Sequence, residues 1–292
     1  MNALWQNIQF KLLRSGNRLN LLIGINVAVF LIIYLPAVIE QLFTGFGNSS
    51  ILAYAADYLQ LPAYLPKLLT RFWTPVTYMF MHAGILHILF NMLWLYWMGQ
   101  IFEEYLGNKR TIGLYLLGGL AGALFFVAAY NLLPAFKESG LLFGSTVVGA
   151  SASVMAIIIA TATLLPNYTI SLMFIGPVKL KWIAIFYVIF DFLLIAGPNG
   201  GGEIAHLGGA LMGFVYIKQL QRGHDWVGGI AGLFKKRSNL KVVSKNTTRN
   251  SNSLPRQEEI DRILDKISLT GYDSLSKPEK EVLFRASKDN EG

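Results

Sequence analysis

Six apolar stretches, each near the length of a membrane-spanning helix, alternate with polar connections along this chain. A spanning helix needs about 20 mostly apolar residues. We predict spans at Leu19–Ile39, Ile85–Phe102, Thr111–Leu132, Gly149–Leu165, Leu180–Ala196 and Ile204–Leu220. Beyond Lys235 the chain becomes strongly polar. The pattern predicts an all-α membrane protein, a bundle of six transmembrane helices followed by a small helical tail.

Composition agrees with a membrane class. The chain is 53% hydrophobic and only 14% charged, whereas charged residues make up about 25% of a soluble domain. The formal net charge of +8 is interpreted as basic loops on the cytoplasmic face, so no nucleic-acid partner is expected. The chain has no cysteine, which excludes disulfides, thiolate metal sites and a cysteine nucleophile.

Lysine and arginine concentrate in alternate connections between the spans. They precede the first span and follow the second, fourth and sixth: Lys11, Arg14, Arg18, Lys109, Arg110, Lys179, Lys181, Arg222 and Lys235. The positive-inside rule therefore predicts a multi-pass protein with both termini in the cytoplasm. The first apolar stretch lacks a cleavage signal, so we interpret it as a retained span.

The chain is predicted to divide into three parts: a membrane domain at 1–222, an interfacial segment and flexible basic linker at 223–255, and a small cytoplasmic helical hairpin at 256–292. In the last part, apolar residues recur at helical spacing, and Ser276 with Glu279 forms a capping box for a second helix.

Two connections between the predicted spans are also notable. The long, aromatic segment Gln41–Gly84 is predicted to lie on the outer leaflet. The glycine-rich Gly197–Gly202 is predicted to be a flexible loop, and its two possible roles are a gate for entry beside span five and a plain connector.

Polar residues recur near one end of three spans. His87 and Asn91 begin span two, Ser151 begins span four, and His206 begins span six. Polar side chains inside a bilayer are functional candidates by default. Because all three spans start from the outer side, these residues should lie at one depth and form one site.

Ser151 is a candidate nucleophile because a helix begins there and offers unpaired backbone N–H groups to an oxyanion. It needs a base, and His206 is the natural one. Apart from Glu203, no acidic residue begins these three spans, so a Ser–His dyad is favoured over a triad. Gly209 and Gly213 would let span six press against a neighbour; if that neighbour is span four, His206 can reach Ser151.

His87 and Asn91 are four residues apart and share a helix face, so both could donate hydrogen bonds to a developing negative charge. A metal site is disfavoured because no His-Glu-x-x-His run is present, and no cofactor is expected. The alternative for each polar or small residue is ordinary helix packing, as we expect for Ser145 and Ser153.

Four motifs in this order resemble the rhomboid intramembrane serine proteases. They are His82-x-x-x-x-His87-x-x-x-Asn91, Gly99-x-x-x-Glu103-x-x-x-Gly107, Gly149-x-Ser151 and Ala205-His206-x-x-Gly209-x-x-x-Gly213. The resemblance implies a six-helix bundle with Ser151 as nucleophile and His206 as general base. It also implies an oxyanion hole of His87, Asn91 and the Ser151 backbone N–H, with His82, Gly149, Gly209, Gly213 and Glu103 in supporting roles. Its implied partners are membrane lipid and transmembrane protein substrates with small residues at the cut, and its implied location is the bacterial inner (plasma) membrane.

The chain departs from the family pattern in three places. Ala152 replaces the usual glycine after the serine, Met155 replaces a common tyrosine, and Trp73-Thr74 replaces a Trp-Arg pair. None of these changes removes a reacting group. We therefore predict an intramembrane serine endopeptidase. The alternatives are an inactive relative that binds or escorts membrane proteins, and a transporter, which would be expected to show an internal repeat. The oligomeric state is left open.

Overall fold

Helices form at all six of the predicted spans. In the computed structural model they are α1 (Arg18–Thr44), α2 (Ile85–Leu106), α3 (Asn108–Leu132), α4 (Ser151–Leu164), α5 (Leu180–Leu194) and α6 (Gly200–Gln221). The structure describes residues 18–137, 140–172, 175–228 and 257–288. The chain divides into two compact units, Met1–Lys235 and Lys236–Gly292. The predicted all-α membrane bundle is confirmed.

The helices differ in how they face a membrane. Within the described residues, α1, α2 and α3 are long and apolar enough to cross one by length and composition. Helix α4 has 14 residues, and every residue from Ala152 to Ala162 is buried. On α5, by contrast, apolar side chains such as Phe186 and Phe192 are exposed. The neighbouring helices therefore enclose α4, whereas α5 presents an apolar face outward.

The long connection between α1 and α2 folds into short elements. These are helices Ser50–Leu59, Leu65–Thr70 and Thr74–Thr77, the 3-10 turn Tyr78–Phe80, and strand β1 (Leu61–Pro62). Strand β1 pairs antiparallel with β2 (Thr146–Val147), just before α4. The remaining short elements are helix Pro134–Lys137, the 3-10 turn Leu141–Phe143, and antiparallel strands β3 (Thr169–Leu172) and β4 (Gly176–Lys179). The connection is thus attached to the start of α4.

A cluster of charged residues stabilises this connection. Arg71 Nη1 donates to Asp57 Oδ1 at 2.6 Å, and Lys67 Nζ lies 2.8 Å from the same oxygen. The Arg71 guanidinium, with Lys67 second, lowers the pKa of Asp57 to about 2. Because that pKa is depressed, the stabilisation is complete at neutral pH and is lost as the pH falls from about 4 toward 2. Trp73 Nε1 donates to the Tyr58 carbonyl at 2.8 Å.

Glycines on α6 allow it to pack directly against the backbone of α4. A Cβ added to Gly209 would lie 2.0 Å from the Ala152 carbonyl oxygen, and one added to Gly213 would lie 2.2 Å from that of Ala156. The two contacts are four residues apart on both helices, so α4 and α6 run parallel in register. Helix α4 is therefore the neighbour against which α6 packs, which is the condition that the sequence analysis set for His206 to reach Ser151.

Gly213→Ala is expected to destabilise the bundle by about 1–3 kcal/mol, because backbone atoms of α4 occupy the space that the methyl group needs. The measurement is thermal unfolding of the purified protein in detergent. The matched control is Gly144→Ala, since Gly144 has φ −105° and an added Cβ would meet no atom within 4 Å. Equal unfolding midpoints for the two variants would contradict the packing.

The glycine-rich segment before α6 differs from the prediction. Helix α6 begins at Gly200, and Gly200, Gly201 and Gly202 are buried. A Cβ added to Gly201 would lie 2.8 Å from the Phe126 ring, so the missing side chain allows α6 to pack on α3. The prediction of a flexible loop through Gly202 was wrong, and only residues 195–199 connect α5 to α6.

The second unit contains α7 (Gln257–Thr270) and α8 (Lys277–Lys288), the two helices predicted for the tail. The Ser276 backbone N–H and hydroxyl donate to Glu279 Oε2, each at 2.8 Å, as the capping box predicted. The backbone hydrogen bond, then the Lys266 ammonium and the Ser276 hydroxyl, lower the pKa of Glu279 to about 2. Most of the predicted linker at 223–255 lies outside the described residues.

Candidate active site

The turn that presents Ser151 is fixed by the connection before α2. Strand β2 leads into it, and the Gly149 N–H donates to the Tyr78 carbonyl oxygen at 2.9 Å. Gly149 has φ +125°, a conformation that residues with a side chain rarely adopt. Helix α4 then begins at Ser151. The serine therefore lies at the helix end where backbone N–H groups are unpaired.

His87 lies against this turn. A Cβ added to Gly149 would be 2.7 Å from His87 Nε2 and 3.5 Å from Ser151 Oγ, so the imidazole and the hydroxyl flank the same glycine. The Ala83 N–H donates to His87 Nδ1 at 3.3 Å. In the neutral ring, the proton is then on Nε2, the atom that faces Gly149. His87 can therefore donate a hydrogen bond beside Ser151.

Asn91 shares a cavity with Ser151, and His82 lies behind His87. Asn91 Nδ2 donates to the His87 carbonyl at 2.9 Å. With Ser151, Asn91 lines a cavity of about 370 Å³ between α2, α4 and α5. The fully buried His82 ring lies edge-on to that of His87, with centroids 5.2 Å apart. Neither ring nitrogen of His82 has a hydrogen-bond partner among the described residues, so its contact with His87 is one of packing.

His206 lies at the same level of the bundle as Ser151. Gly209, one turn further along α6, contacts Ala152, the residue after the serine. The His206 and His87 imidazoles are close enough for a charge on one to act on the other. Both Ser151 and His206 are partly exposed. Within the part of the chain that the structure describes, no hydrogen bond joins Ser151 Oγ to His206.

The His206 imidazole has carboxylate neighbours. Its Nδ1 lies 3.3 Å from Asp191 Oδ1 on α5 and 3.3 Å from Glu203 Oε2 on its own helix. The sequence placed only Glu203 near this imidazole, because the acidic residues considered were those of the helices that begin on the same side as α6. Asp191 comes from the far end of α5, a helix that runs the other way. These three side chains could also offer ligand atoms to a metal ion, since their atoms lie within 4.8 Å of one another.

The two departures from the family pattern near Ser151 have distinct surroundings. The Ala152 methyl group faces Gly122 of α3, where an added Cβ would lie only 2.5 Å away, so a glycine on the partner helix leaves room for the alanine. Met155 is buried in a cluster with Ile159 and Ala210, and Tyr187 of α5 packs against that cluster. Tyr187 and Met155 both line the cavity beside Ser151.

Glu103 is not part of this cluster. It lies 12 residues beyond Asn91 on α2, or about 18 Å along the helix axis. Its Oε1 is buried without a hydrogen-bond partner among the described residues. Glu103 therefore belongs to the opposite end of the bundle, where Gly99 packs on Leu19 of α1.

Sequence reasoning missed two residues that the fold brings to the site, Tyr187 and Asp191 of α5. They are four residues apart and share a helix face, which was a visible signal. Asp191 is the one acidic residue in the predicted fifth span, but nothing in the sequence indicated that α5 packs beside α6.

Models of two known protein families match this chain. A model of the Rhomboid domain family matches residues 69–222, more than half of the 292-residue chain. The chain belongs to the rhomboid family. This rhomboid is therefore a multi-pass integral membrane protein. A model of a family of unknown function (DUF6576) matches residues 247–289, in the tail.

Similar plant proteins carry the family name. RHOMBOID-like protein 12, mitochondrial, of Arabidopsis thaliana is 32% identical over 162 residues, 52% of this chain and 48% of the relative. RHOMBOID-like protein 1 of the same plant is 30% identical over 157 residues, 52% of this chain and 36% of the relative. Inactive RHOMBOID-like protein 8 is 30% identical over 84 residues, 29% of this chain and 23% of the relative. Each match spans less than half of the relative's length.

Proposed function

We propose that this rhomboid is an intramembrane serine endopeptidase that cleaves transmembrane segments of other proteins. The observation that carries the proposal is the position of Ser151, at the free start of α4, beside the same glycine as the His87 imidazole and level with His206. The hydrogen-bond partners favour complementary tautomers. His87 has its proton on Nε2, and His206 directs Nδ1 to a carboxylate, which leaves His206 Nε2 free to accept a proton.

The reaction follows from these roles. Ser151 Oγ forms a bond to the substrate carbonyl carbon while His206 Nε2 takes the hydroxyl proton. The resulting oxyanion accepts hydrogen bonds from His87 Nε2–H, the second Asn91 amide N–H and the Ser151 backbone N–H. His206 then gives its proton to the leaving amine as the C–N bond breaks. Water attacks the acyl-enzyme, gives a proton to His206, and Ser151 leaves with that proton.

The cavity suggests where a substrate binds. Its walls combine Asn91 and Ser151 with the apolar side chains of Phe90, Trp94, Val154, Met155 and Ile158. Such a cavity suits an apolar segment whose backbone must be exposed near the serine. As the family resemblance implies, we propose transmembrane substrates with small residues at the cut and helix-breaking residues nearby.

The proposal extends to organisation in the membrane. Both termini are assigned to the cytoplasm, with 1–222 as the protease domain, 223–255 as the linker and 256–292 as an appended hairpin. One relative is named as mitochondrial and all three come from a plant. The comparisons do not support the bacterial inner membrane that the sequence predicted.

An inactive relative is the second candidate. Two observations favour it: no hydrogen bond joins Ser151 to His206 within the described residues, and one similar protein is named inactive. Such a protein would bind transmembrane segments without cleaving them, so reactivity of the serine separates the two candidates.

The test is to treat the detergent-solubilised protein with a fluorophosphonate probe and to map the modified residue by mass spectrometry. We expect modification at Ser151, together with cleavage of a model transmembrane substrate. Ser153 is an internal control, because it is buried two residues further along α4. An unmodified protein that binds the substrate would support the inactive candidate, and modification of another serine would contradict the assignment of the nucleophile.

A further inference from the structure

Asp191 is a buried carboxylate without an obvious structural role. It is 3% exposed, and its Oδ2 has no hydrogen-bond partner among the described residues. A buried carboxylate with one oxygen unpaired raises the free energy of a folded membrane bundle. The other half of the group, Oδ1, lies 3.3 Å from His206 Nδ1. The contact with His206 is therefore the interaction that accounts for an acid at this position.

We propose that Asp191 is a positioning residue for His206, so that the reaction uses a carboxylate, an imidazole and a serine instead of a serine and an imidazole alone. This inference rests on the proposed protease function. His206 Nδ1–H donates to Asp191 Oδ1, which fixes the ring orientation and places the lone pair on Nε2. The carboxylate also stabilises the imidazolium that forms when His206 takes the serine proton.

Glu203 lies at the same distance from Nδ1 but is held differently. Its Oε1 accepts a hydrogen bond from Asn199 Nδ2 at 3.1 Å, and it precedes His206 by three residues on the same helix. Glu203 therefore links the start of α6 to the residue before it. Asp191 is on a different helix, so it holds the imidazole against rotation relative to α5. The charged or titratable groups around His206 are thus Asp191 from α5, Glu203 from α6 and His87 from α2.

Asp191→Asn keeps the size of the side chain and removes its charge. An amide can turn its NH₂ group toward Nδ1, and the imidazole must then accept there and carry its proton on Nε2. In that tautomer His206 cannot take the serine proton.

The experiment compares cleavage of a model transmembrane substrate by the full-length wild type and by Asp191→Asn, Asp191→Glu and Glu203→Gln. We expect Asp191→Asn to lower kcat by about 10²-fold with KM within about 2-fold of wild type. Asp191→Glu should recover part of the lost kcat, and Glu203→Gln should lower kcat less than Asp191→Asn. The matched control is Asp225→Asn, since Asp225 pairs with Arg110 beyond the other end of α6; its kcat should equal that of wild type.

Three results would overturn the inference. One is an Asp191→Asn variant with wild-type kcat. Another is a loss that Asp191→Glu does not relieve and that accompanies a lowered unfolding midpoint, which would indicate a structural role. The third is activity lost on treatment with a chelator and restored by Zn²⁺, which would make these residues metal ligands. Failure of the protease proposal is distinguishable, because the wild type itself would then neither cleave nor be modified at Ser151.

Discussion

Ser151→Ala and His206→Ala should each reduce substrate cleavage by at least about 10³-fold, and the double variant should be no slower than either single one. The reason is that nucleophile and base act as a unit. Without the imidazole, the hydroxyl is a weak nucleophile, and without the hydroxyl, the imidazole has no proton to accept. The residual rate should come from the oxyanion donors and from substrate binding alone.

The measurement is initial-rate cleavage of a model transmembrane substrate in detergent by the two single variants and the double variant. Ser153→Ala is the matched control. Its hydroxyl is buried without a hydrogen-bond partner among the described residues, so its removal should leave the rate unchanged. Additive losses in the double variant would show that the two side chains act independently and would argue against the proposed mechanism.

Gly149→Ala is expected to lower kcat by about 10²- to 10³-fold, the loss that follows removal of an oxyanion donor. Two effects combine. An alanine at φ +125° is strained, and its methyl group would lie 2.7 Å from His87 Nε2 and Cε1. Because strand β2 and the Tyr78 carbonyl hold the turn in place, we expect the His87 ring to move away from Ser151.

Separating strain from the clash requires a second glycine with positive φ. Gly140 has φ +74°, and a Cβ there would meet no atom within 4 Å, so Gly140→Ala introduces backbone strain without displacing a side chain. It should keep wild-type kcat. His87→Ala should lose about as much activity as Gly149→Ala, and the double variant should lose little more. A fully active Gly149→Ala variant would show that the oxyanion is not bound beside His87 and Ser151.

Much of the bundle could be predicted from the amino-acid sequence because few backbone structures are stable in lipid. Backbone groups in a bilayer must be paired within helices, so an apolar stretch of sufficient length becomes a helix wherever it occurs. The positions of α2, α4 and α6 follow from this rule, although α6 begins at Gly200, four residues before the predicted Ile204, and the predicted direction of the helices follows from the distribution of lysine and arginine. The same reasoning placed His87, Asn91, Ser151 and His206 near one end, since alternate helices start from the same side.

The amino-acid sequence alone determined where the six helices of the bundle lie, the residue types at their ends and the resemblance to the rhomboid family. Only the tertiary structure decided which helices touch: α6 packs on α4 through Gly209, the β1–β2 pair fixes the turn before Ser151, and α5 brings Asp191 to His206. The physical reason is that helix formation depends on hydrogen bonds four residues apart, whereas these contacts join residues 15 to 86 positions apart. Such contacts depend on the shapes of whole helix faces, and local patterns in the sequence do not predict those shapes.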